Sequence, residues 1–449
     1  MARDNDDIDD DEDESDEDIE YVLFQGAVNG KEANLEDNRK LAAVGLRPAK
    51  ELMSEALADR CDSFRFEPNG PRYVAAFSVD GIRRAGPRFP KKLGNAIVQI
   101  LKLLSGLDPA VRDKKQQGAI KAEYRDVKFE ITVKAIPGKE GESLSVIFRP
   151  VKIKRATPDD IGIPDRISKL IRGQAADGNG IILIVGPPES GLTTTAHCSM
   201  RSIDTYRFES FILGDMGTRE ILNVGVFEPE PGHTLDDTIE RIHRNDGKVI
   251  YFTDLDDPEV AKTMCNNAGR ICIVVEMNAP DAVRGVAKFV ELVGDPALAA
   301  SQLKAVVTSK LIRKLCKKCR EAFRPSGRLV AQLGLPEDTV TLYRAAAPPD
   351  EDDYEEDEEP EVCRACEGVG FRGRAAIFEM VEITDGIKEV ITAGADPAAI
   401  KNKVREEKQL TMQMDALRLV ADGTTGLEEL QRAFRPPQRK KKPARRRRP

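Results

Sequence analysis

Short apolar runs separated by helical stretches constrain the fold of the second half of this chain more than any other feature. The run GIILIVG at 180–186 is short and continuous, as expected of a parallel strand that is buried on both faces. Three further runs of the same kind follow it, FESFILGD, KVIYFTD and RICIVVE. Strands that alternate with helices predict a parallel sheet covered by helices on both sides, and we place this α/β domain at residues 173–310.

The first half of the chain predicts a smaller domain of mixed α/β type at residues 46–150. The segment YVAAFSVDGIRRAG places an Asp80–Gly81 turn between two strand-like runs, which is a hairpin signal. LGNAIVQILKLLSG has apolar residues at helical spacing and a stop at Gly106, while YRDVKFEITVKAI and SLSVIFRP alternate as half-buried strands do. Residues 21–45 are interpreted as a lightly structured lead-in, and residues 151–172 as a linker.

Three charged segments interrupt these patterns. The formal net charge is −8, but residues 1–20 carry thirteen acids and one base, residues 435–449 carry nine bases, and ten acids lie within 350–361. Runs of like charge bury no apolar surface, so we expect residues 1–20, the acidic loop 347–361 and the tail 435–449 to be disordered. The basic tail is a solvated end, a contact for nucleic acid or an anionic membrane, or a dock for an acidic tail of a neighbouring subunit, and the sequence does not choose among these.

The composition limits the class of protein. Charged residues make up 33% of the chain, and no apolar stretch approaches the ~20 residues of a spanning helix. The amino terminus is acidic where a signal peptide is basic and then apolar, which argues against export. We therefore predict a cytoplasmic protein, in which the eight cysteines are thiols or metal ligands rather than disulfides.

Two Cys-x-x-Cys pairs are the strongest metal signal in the chain. The four residues are Cys316, Cys319, Cys363 and Cys366. Each pair directs two thiolates at one metal, and two pairs complete a tetrahedral zinc site that leaves no open position, so the predicted Zn²⁺ is structural. Four reduced cysteines without metal are the alternative. We place a zinc-binding subdomain at residues 311–376 and a helical region at residues 377–434.

Residues 186–193 read GPPESGLT, which approaches the phosphate loop G-x-x-x-x-G-K-[ST] without matching it. A buried-strand run ends where the motif begins, and TTTA then opens a helix, as the motif requires. Leu192 stands in place of the lysine, Pro188 lacks an N–H, and Glu189 brings a carboxylate toward a polyanion. Thr193 keeps the hydroxyl that would hold Mg²⁺, so ATP binding stays open while efficient hydrolysis is disfavoured. The candidate cofactor-binding residues are Gly186, Pro187, Ser190, Gly191, Leu192, Thr193 and Thr194.

Taken together, these segments resemble the type II secretion protein E and type IV pilus assembly motor ATPases. The resemblance runs from about residue 62 to residue 434. It includes RFEP, SVDGIRR, LKLLSGLDPAVRDKKQQG, GIILIVGPPESGLTTTAH, HRNDGKVIYFTDLDDPEVA, GDPALAASQLKAVVTSKLIRKLC, CRACEGVGFRGRAAIFEMVEITD and LVADGTTGLEEL. It implies a RecA-like P-loop NTPase domain preceded by a small PAS-like domain, with a four-cysteine zinc subdomain and a helical carboxyl-terminal region. It also implies a homo- or hetero-hexamer with family members, an inner-membrane platform protein as partner, and a position in the cytoplasm, peripheral to the inner membrane.

Several positions that the resemblance marks as catalytic depart from the family. The aspartate box falls at FILGDMGTRE, where Asp215 is kept but the acid before it is Gly214. The second Walker motif ends in Thr253 and Asp254 instead of Gly-Glu. Arg270 and Met277 stand at the two histidine positions of the histidine box. Asp215 and Asp254 are therefore the candidate catalytic residues that remain.

The function that follows from this resemblance has three readings. The substitutions all affect positions of the nucleotide chemistry, which favours a hydrolysis-impaired pseudo-ATPase that acts structurally or regulates an active homologue. The resemblance also maps the basic residues that reach a neighbouring nucleotide near Arg112 and Arg125. The alternative is an active ATP-hydrolysing motor for pilus or pseudopilus assembly, in which a lysine such as Lys248 or Lys262 serves the loop. A second alternative is a scaffold that binds nucleic acid or an anionic membrane through its basic tail.

Overall fold

The protein is described by a computed structural model for residues 20–151, 157–188, 190–214, 216, 220–347 and 362–435. The chain divides into two compact units, Met1–Lys154 and Arg155–Pro449, called here the amino-terminal and the carboxyl-terminal unit. Apart from one residue each, the three charged segments predicted to be disordered lie outside the described residues. Within the described part, no helix combines the length and the apolar character needed to cross a bilayer.

The amino-terminal unit is an antiparallel sheet with two helices packed on it. Its elements are β1 (Leu23–Ala27), α1 (Arg39–Ala58), β2 (Ser63–Asn69), β3 (Arg72–Val79), β4 (Ile82–Pro90), α2 (Lys91–Leu104), β5 (Gln116–Tyr124), β6 (Val127–Ile136) and β7 (Ser143–Pro150). The strand order is β1-β5-β6-β7-β2-β3-β4, and every neighbouring pair is antiparallel. Buried and more exposed residues alternate along β3 and β7, because successive side chains point to opposite faces of a sheet. The buried side chains form one apolar core with those of α1 and α2.

The hairpin and the helix predicted for this unit are present. β3 and β4 meet at Asp80 and Gly81, whose φ angles of 50° and 79° suit a two-residue turn of type I′. α2 ends shortly before Gly106, which has a φ of 73°. The interpretation of residues 21–45 as a lead-in is wrong, because Val22 is buried in the core, β1 pairs with β5, and α1 begins within this segment. The PAS-like character of the unit stays a prediction.

The carboxyl-terminal unit is built on a largely parallel sheet. Its first elements are α3 (Pro158–Ile161), α4 (Asp165–Asp177), β8 (Ile181–Gly186), α5 (Leu192–Met200), β9 (Ser210–Leu213), β10 (Gly225–Val226), α6 (Leu235–Arg244), β11 (Val249–Phe252), α7 (Pro258–Asn267), β12 (Cys272–Asn278), α8 (Ala282–Val293) and α9 (Pro296–Gln302). They are followed by β13 (Leu303–Leu315), β14 (Glu321–Phe323), α10 (Gly327–Leu333), β15 (Leu342–Arg344), β16 (Phe371–Glu382), α11 (Asp385–Thr392), α12 (Pro397–Glu406), α13 (Met412–Ala421) and α14 (Leu427–Phe434). The order of the main sheet is β10-β9-β11-β12-β8-β13-β16, and β16 runs antiparallel to its neighbour β13.

Apolar clusters cover both faces of this sheet, as the sequence predicts. Leu183 and Val275 join one cluster with residues of α8, whereas Ile184 and Val274 join another with residues of α5. All six residues of β8 are buried, which explains why this run contains no polar side chain.

The boundaries within the carboxyl-terminal unit differ from those predicted. α3 and the first half of α4 lie in the predicted linker 151–172, and Ile167 and Ile171 of α4 are buried in the core. The predicted boundaries after residues 310 and 376 fall inside β13 and β16, which pair along most of their length. The cysteine region is therefore an insertion between two strands of the main sheet, and α11 to α14 supply the predicted helical end.

Candidate nucleotide site and cysteine cluster

The predicted phosphate loop joins the carboxyl end of β8 to the start of α5. β8 ends at Gly186 and α5 begins at Leu192, so the strand–loop–helix arrangement is present. A Cβ on Gly186 would overlap the Oγ of Ser190, and Gly191 has a φ of 89°. Both observations favour glycine at these positions. Pro187 is exposed at the start of the loop, whereas Ser190 is buried at its end.

Leu192 is the first residue of α5, at the position where the motif places lysine. Its side chain is half-buried and packs against the apolar cluster that contains Ile184 and Ala196. Leu311 of β13 packs against the same cluster, 3.6 Å from where a Cβ on Gly191 would lie. An aliphatic side chain held in this way supplies no positive charge to a phosphate.

Thr193 contacts a buried carboxylate that sequence reasoning did not single out. Its Oγ1 donates a hydrogen bond of 3.0 Å to Oε2 of Glu276, and the hydroxyl of Tyr251 donates to Oε1 of the same carboxylate. Glu276 lies on β12 and is only 3% exposed. The signal in the sequence is the one acid within the apolar run RICIVVE, because a buried carboxylate requires polar partners.

A second chain of hydroxyl groups ties α5 to β13. Oγ1 of Thr195 donates to Oγ of Ser309 over 2.9 Å, and Oγ of Ser309 donates to the carbonyl of Ser190 over 3.4 Å. Thr194, between the two bonded threonines, is half-buried. The end of the loop is therefore fixed by the protein itself.

Of the two candidate catalytic aspartates, only Asp254 lies among the described residues. Asp215 lies outside the described residues. Asp254 is exposed and lies two residues beyond the end of β11. In the sheet, β12 separates β11 from β8, so Glu276 belongs to the strand that adjoins the phosphate-loop strand and Asp254 does not.

The four cysteines of the two Cys-x-x-Cys pairs form one cluster. Their Sγ atoms all lie within 4.8 Å of one another. The Sγ–Sγ distance is 3.9 Å between Cys316 and Cys363 and 3.5 Å between Cys319 and Cys366. Zinc–sulfur bonds of about 2.3 Å at tetrahedral angles separate the sulfurs by about 3.8 Å. The cluster is therefore compatible with the predicted four-cysteine zinc site.

The backbone around the cluster favours the thiolate form of one of the four cysteines, Cys363. The N–H of Cys366 donates to the carbonyl of Cys363, and the N–H of Gly370 donates to the Sγ of Cys366. Backbone N–H groups of the turn lower the pKa of Cys363 to about 7. Burial, followed by the neighbouring thiols, raises the pKa of Cys319. A bound cation would instead favour the thiolate form of all four cysteines, because cysteines bind a metal as deprotonated thiolates.

Comparison with known proteins decides the family. Residues 40–432 match the family described as Type II/IV secretion system protein. The chain belongs to this family. It is similar to the type II secretion system protein E of Pseudomonas aeruginosa, with 25% identity over 406 residues that cover 87% of this chain and 75% of the relative. It is also similar to the type IV pilus assembly ATPase PilB of Thermus thermophilus, with 24% identity over 390 residues, 85% of this chain and 42% of the relative.

A solved structure supports the fold of this member of the type II/IV secretion family. The ATPase DotB of Yersinia pseudotuberculosis matches with a TM-score of 0.50 and 11% identity, over 85% of this chain and 92% of that protein. At this identity the likeness concerns the α/β fold alone. The chain spans less than half the length of the Thermus pilus protein.

Two positions at which this chain departs from the family resemblance lie in contact. The resemblance expects an acid at position 214 and glycine at position 253, whereas this chain has Gly214 and Thr253. The positions adjoin, because β9 and β11 are paired and the N–H of Thr253 donates to the carbonyl of Leu213. A Cβ on Gly214, whose φ is 125°, would overlap Oγ1 of Thr253. A side chain at position 214 would therefore compete for space with the side chain of Thr253.

The structure excludes one of the two lysines considered as a replacement for Leu192. The carbonyl of Lys248 accepts a hydrogen bond from Cys272 at the amino end of β12, whereas Asn278 at the carboxyl end lies beside Gly186. Six residues of strand separate these ends, roughly 20 Å and far more than the length of a lysine side chain. The hypothesis that Lys248 supplies the charge missing at Leu192 is therefore wrong. The same hypothesis for Lys262, which is exposed on α7, stays a prediction.

Arg112 is exposed in the loop between α2 and β5 of the amino-terminal unit. A buried pair supports this loop: Nζ of Lys102 donates to the carbonyl of Val111 over 2.5 Å and lies 2.6 Å from Oε1 of Glu142. Sequence reasoning missed this pair, because nothing in a helical run of this kind distinguishes a buried lysine from an exposed one. The contact of Arg112 with a neighbouring nucleotide stays a prediction.

Proposed function

We propose that this protein is a hydrolysis-impaired member of its family, a cytoplasmic ring subunit that acts structurally or regulates an active homologue. The observation that carries the proposal is Leu192 at the first position of α5, with its side chain packed against an apolar cluster. The position that would place a positive charge on the outer phosphates thus carries a half-buried aliphatic side chain that packs against the core. Lys248 lies too far along the sheet to replace it.

The missing charge acts on the chemical step of hydrolysis. Transfer of a phosphoryl group is catalysed by positioning and by groups that stabilise negative charge in the transition state. Preorganised groups of this kind are typically worth ~10³-fold in rate. The resemblance further expects a glutamate where this chain has Asp254, which is exposed and shorter by one methylene group. The missing lysine and the missing glutamate both raise the activation free energy of phosphoryl transfer.

The features that would serve assembly are retained. We assign a RecA-like fold to the sheet domain of the carboxyl-terminal unit, a PAS-like fold to the amino-terminal unit and structural zinc to the cysteine cluster. A hexameric ring requires complementary subunit surfaces and does not require turnover at every site. The partners would be family members and the inner-membrane platform protein of a secretion or pilus apparatus, at the cytoplasmic side of that membrane.

An active motor for pilus or pseudopilus assembly is the alternative. Two similar proteins are named as ATPases, PilB of Thermus thermophilus and DotB of Yersinia pseudotuberculosis. Thr193 also keeps the hydroxyl that an active phosphate loop uses for Mg²⁺. A measurement of turnover separates the two proposals.

The purified full chain is expected to release phosphate from Mg-ATP no faster than its Thr193→Val variant. The reason is that an impaired site gains nothing from the threonine hydroxyl during hydrolysis. The Leu192→Lys variant separates the alternatives further, because an enzyme already served by another lysine would change little. Steady-state phosphate release measures all three proteins. Turnover near one per second that Thr193→Val abolishes would contradict the proposal.

A further inference from the structure

We propose that Glu276 supplies the carboxylate that holds a divalent cation at the phosphate loop. The cation would then take over part of the charge compensation that the loop lacks at Leu192. This inference rests on the proposed function in treating the loop as a nucleotide site. It goes beyond that function by assigning a ligand on β12 where the resemblance assigns none.

The placement of Glu276 follows from the sheet. β12 lies between β8 and β11, and Glu276 pairs with Ile184, two residues before the loop begins at Gly186. Ile184 and Val274 belong to the cluster that α5 covers, and the side chain of Glu276 reaches Thr193 in the first turn of that helix. The carboxylate therefore lies against the first turn of α5, the helix that follows the phosphate loop.

The chemistry of the two side chains suits Mg²⁺. This ion prefers oxygen ligands, and proteins usually bind it through one or two carboxylates together with the phosphates of a substrate. Oε2 of Glu276 and Oγ1 of Thr193 are 3.0 Å apart, so one ion can contact both after a small shift.

A competing reading gives Glu276 the opposite effect. A buried carboxylate beside the loop would repel phosphates, so Glu276 would keep nucleotide out. The contact with Thr193 favours the cation, because this hydroxyl is the group of a phosphate loop that binds Mg²⁺. The two readings predict opposite changes in affinity when the charge is removed.

The test is a titration of the full chain with a fluorescent ATP analogue, in Mg²⁺ and in EDTA. The wild type is expected to bind at least about tenfold more tightly in Mg²⁺, and Glu276→Gln is expected to lose about 10- to 100-fold in affinity in Mg²⁺ and little in EDTA. Glu379→Gln, which changes a half-buried carboxylate on β16, is the matched control and should behave as the wild type. The paramagnetic resonance signal of Mn²⁺ provides a second readout, because the signal of free Mn²⁺ decreases when the ion binds to the protein.

Thr193→Val is the second variant, and it keeps the shape of the side chain if Glu276→Gln fails to fold. It should lose the same dependence on Mg²⁺. Tighter binding by Glu276→Gln, or equal binding by both variants and the wild type, would overturn the assignment. So would a loss of Mg²⁺ dependence in Asp254→Asn but not in Glu276→Gln. Absence of nucleotide binding up to millimolar concentration would overturn it as well, while leaving the proposed lack of hydrolysis intact.

Discussion

Replacing Cys319 and Cys366 with alanine is expected to abolish the binding of one zinc ion per chain and to destabilise the carboxyl-terminal unit. The four Sγ atoms lie within 4.8 Å of one another, between the end of β13 and the start of β16. Structural zinc contributes folding free energy directly, on the order of 10 kcal/mol in small peptides. Part of that free energy here concerns only the insertion that carries β14 and β15, so we expect a loss of several kcal/mol for the whole unit. Metal analysis and thermal unfolding measure the two effects.

Cys265→Ala is the matched control for this prediction. Cys265 is buried in the apolar core of the carboxyl-terminal unit and lies outside the four-cysteine cluster, so it is a core residue rather than a ligand. The control should keep its zinc. A wild-type protein that is purified without chelator and contains no zinc, with a melting temperature unchanged in the double variant, would contradict the zinc assignment.

Glu429→Ala is expected to lower the free energy of unfolding of the carboxyl-terminal unit by about 3–5 kcal/mol. The Glu429 carboxylate is 0% exposed and accepts hydrogen bonds from the backbone N–H and the Nε of Arg313, each 2.9 Å long. Nε of Arg432 donates to it over 2.7 Å. Its removal leaves two guanidinium groups without their carboxylate, and Arg313 is only 15% exposed. Urea unfolding measures the loss.

Glu428→Ala tests whether this effect belongs to the buried pair. Glu428 lies on the same turn of α14 and is less buried than Glu429, so its replacement should change the free energy of unfolding by less than about 0.5 kcal/mol. Equal effects of the two substitutions would contradict the account. The contact also joins SKLIRKLC to LVADGTTGLEEL, two segments that carry the family resemblance, which gives those segments a structural role.

The effect of Glu429 should depend on pH in one direction. Burial alone would raise the pKa of this carboxyl group, but hydrogen bonds from Arg432 and Arg313 outweigh burial and leave the pKa below its ordinary value of 4.5. A carboxylate whose pKa is lowered in the folded state stabilises the protein above its unfolded pKa, and the contribution is lost as pH falls through the folded pKa. The difference between wild type and Glu429→Ala should therefore be full at neutral pH and shrink below about pH 4.5.

Local patterns make much of the fold predictable from the sequence. The run at β8 is apolar because both faces of that strand are buried, and the Asp80–Gly81 turn depends on the positive φ angles of its own two residues. The Cys-x-x-Cys spacing likewise brings the two thiols of each pair together through local structure alone. The prediction of a lead-in at residues 21–45 is wrong because β1 pairs with β5, which lies far along the chain.

The contacts that distinguish the candidate site are not predictable in this way. Glu276 meets Thr193 across 83 residues and Tyr251 across 25, so no local spacing links the three. The contact between Gly214 and Thr253 depends on the pairing of β9 with β11, which the sequence does not specify. Sequence reasoning identifies the altered motif positions, and only the fold shows which of them touch.

The rate of the chemical step tests the central claim most directly. A rapid-quench measurement with the full chain in excess over radiolabelled Mg-ATP reports bond cleavage even when product release is slow. Enzymes commonly turn over at about 10 per second, and the loss of a charge-stabilising group worth ~10³-fold, with the further loss at Asp254, predicts cleavage slower than about 10⁻² per second. Cleavage at one per second or faster would contradict the account and would identify the protein as an active ATPase.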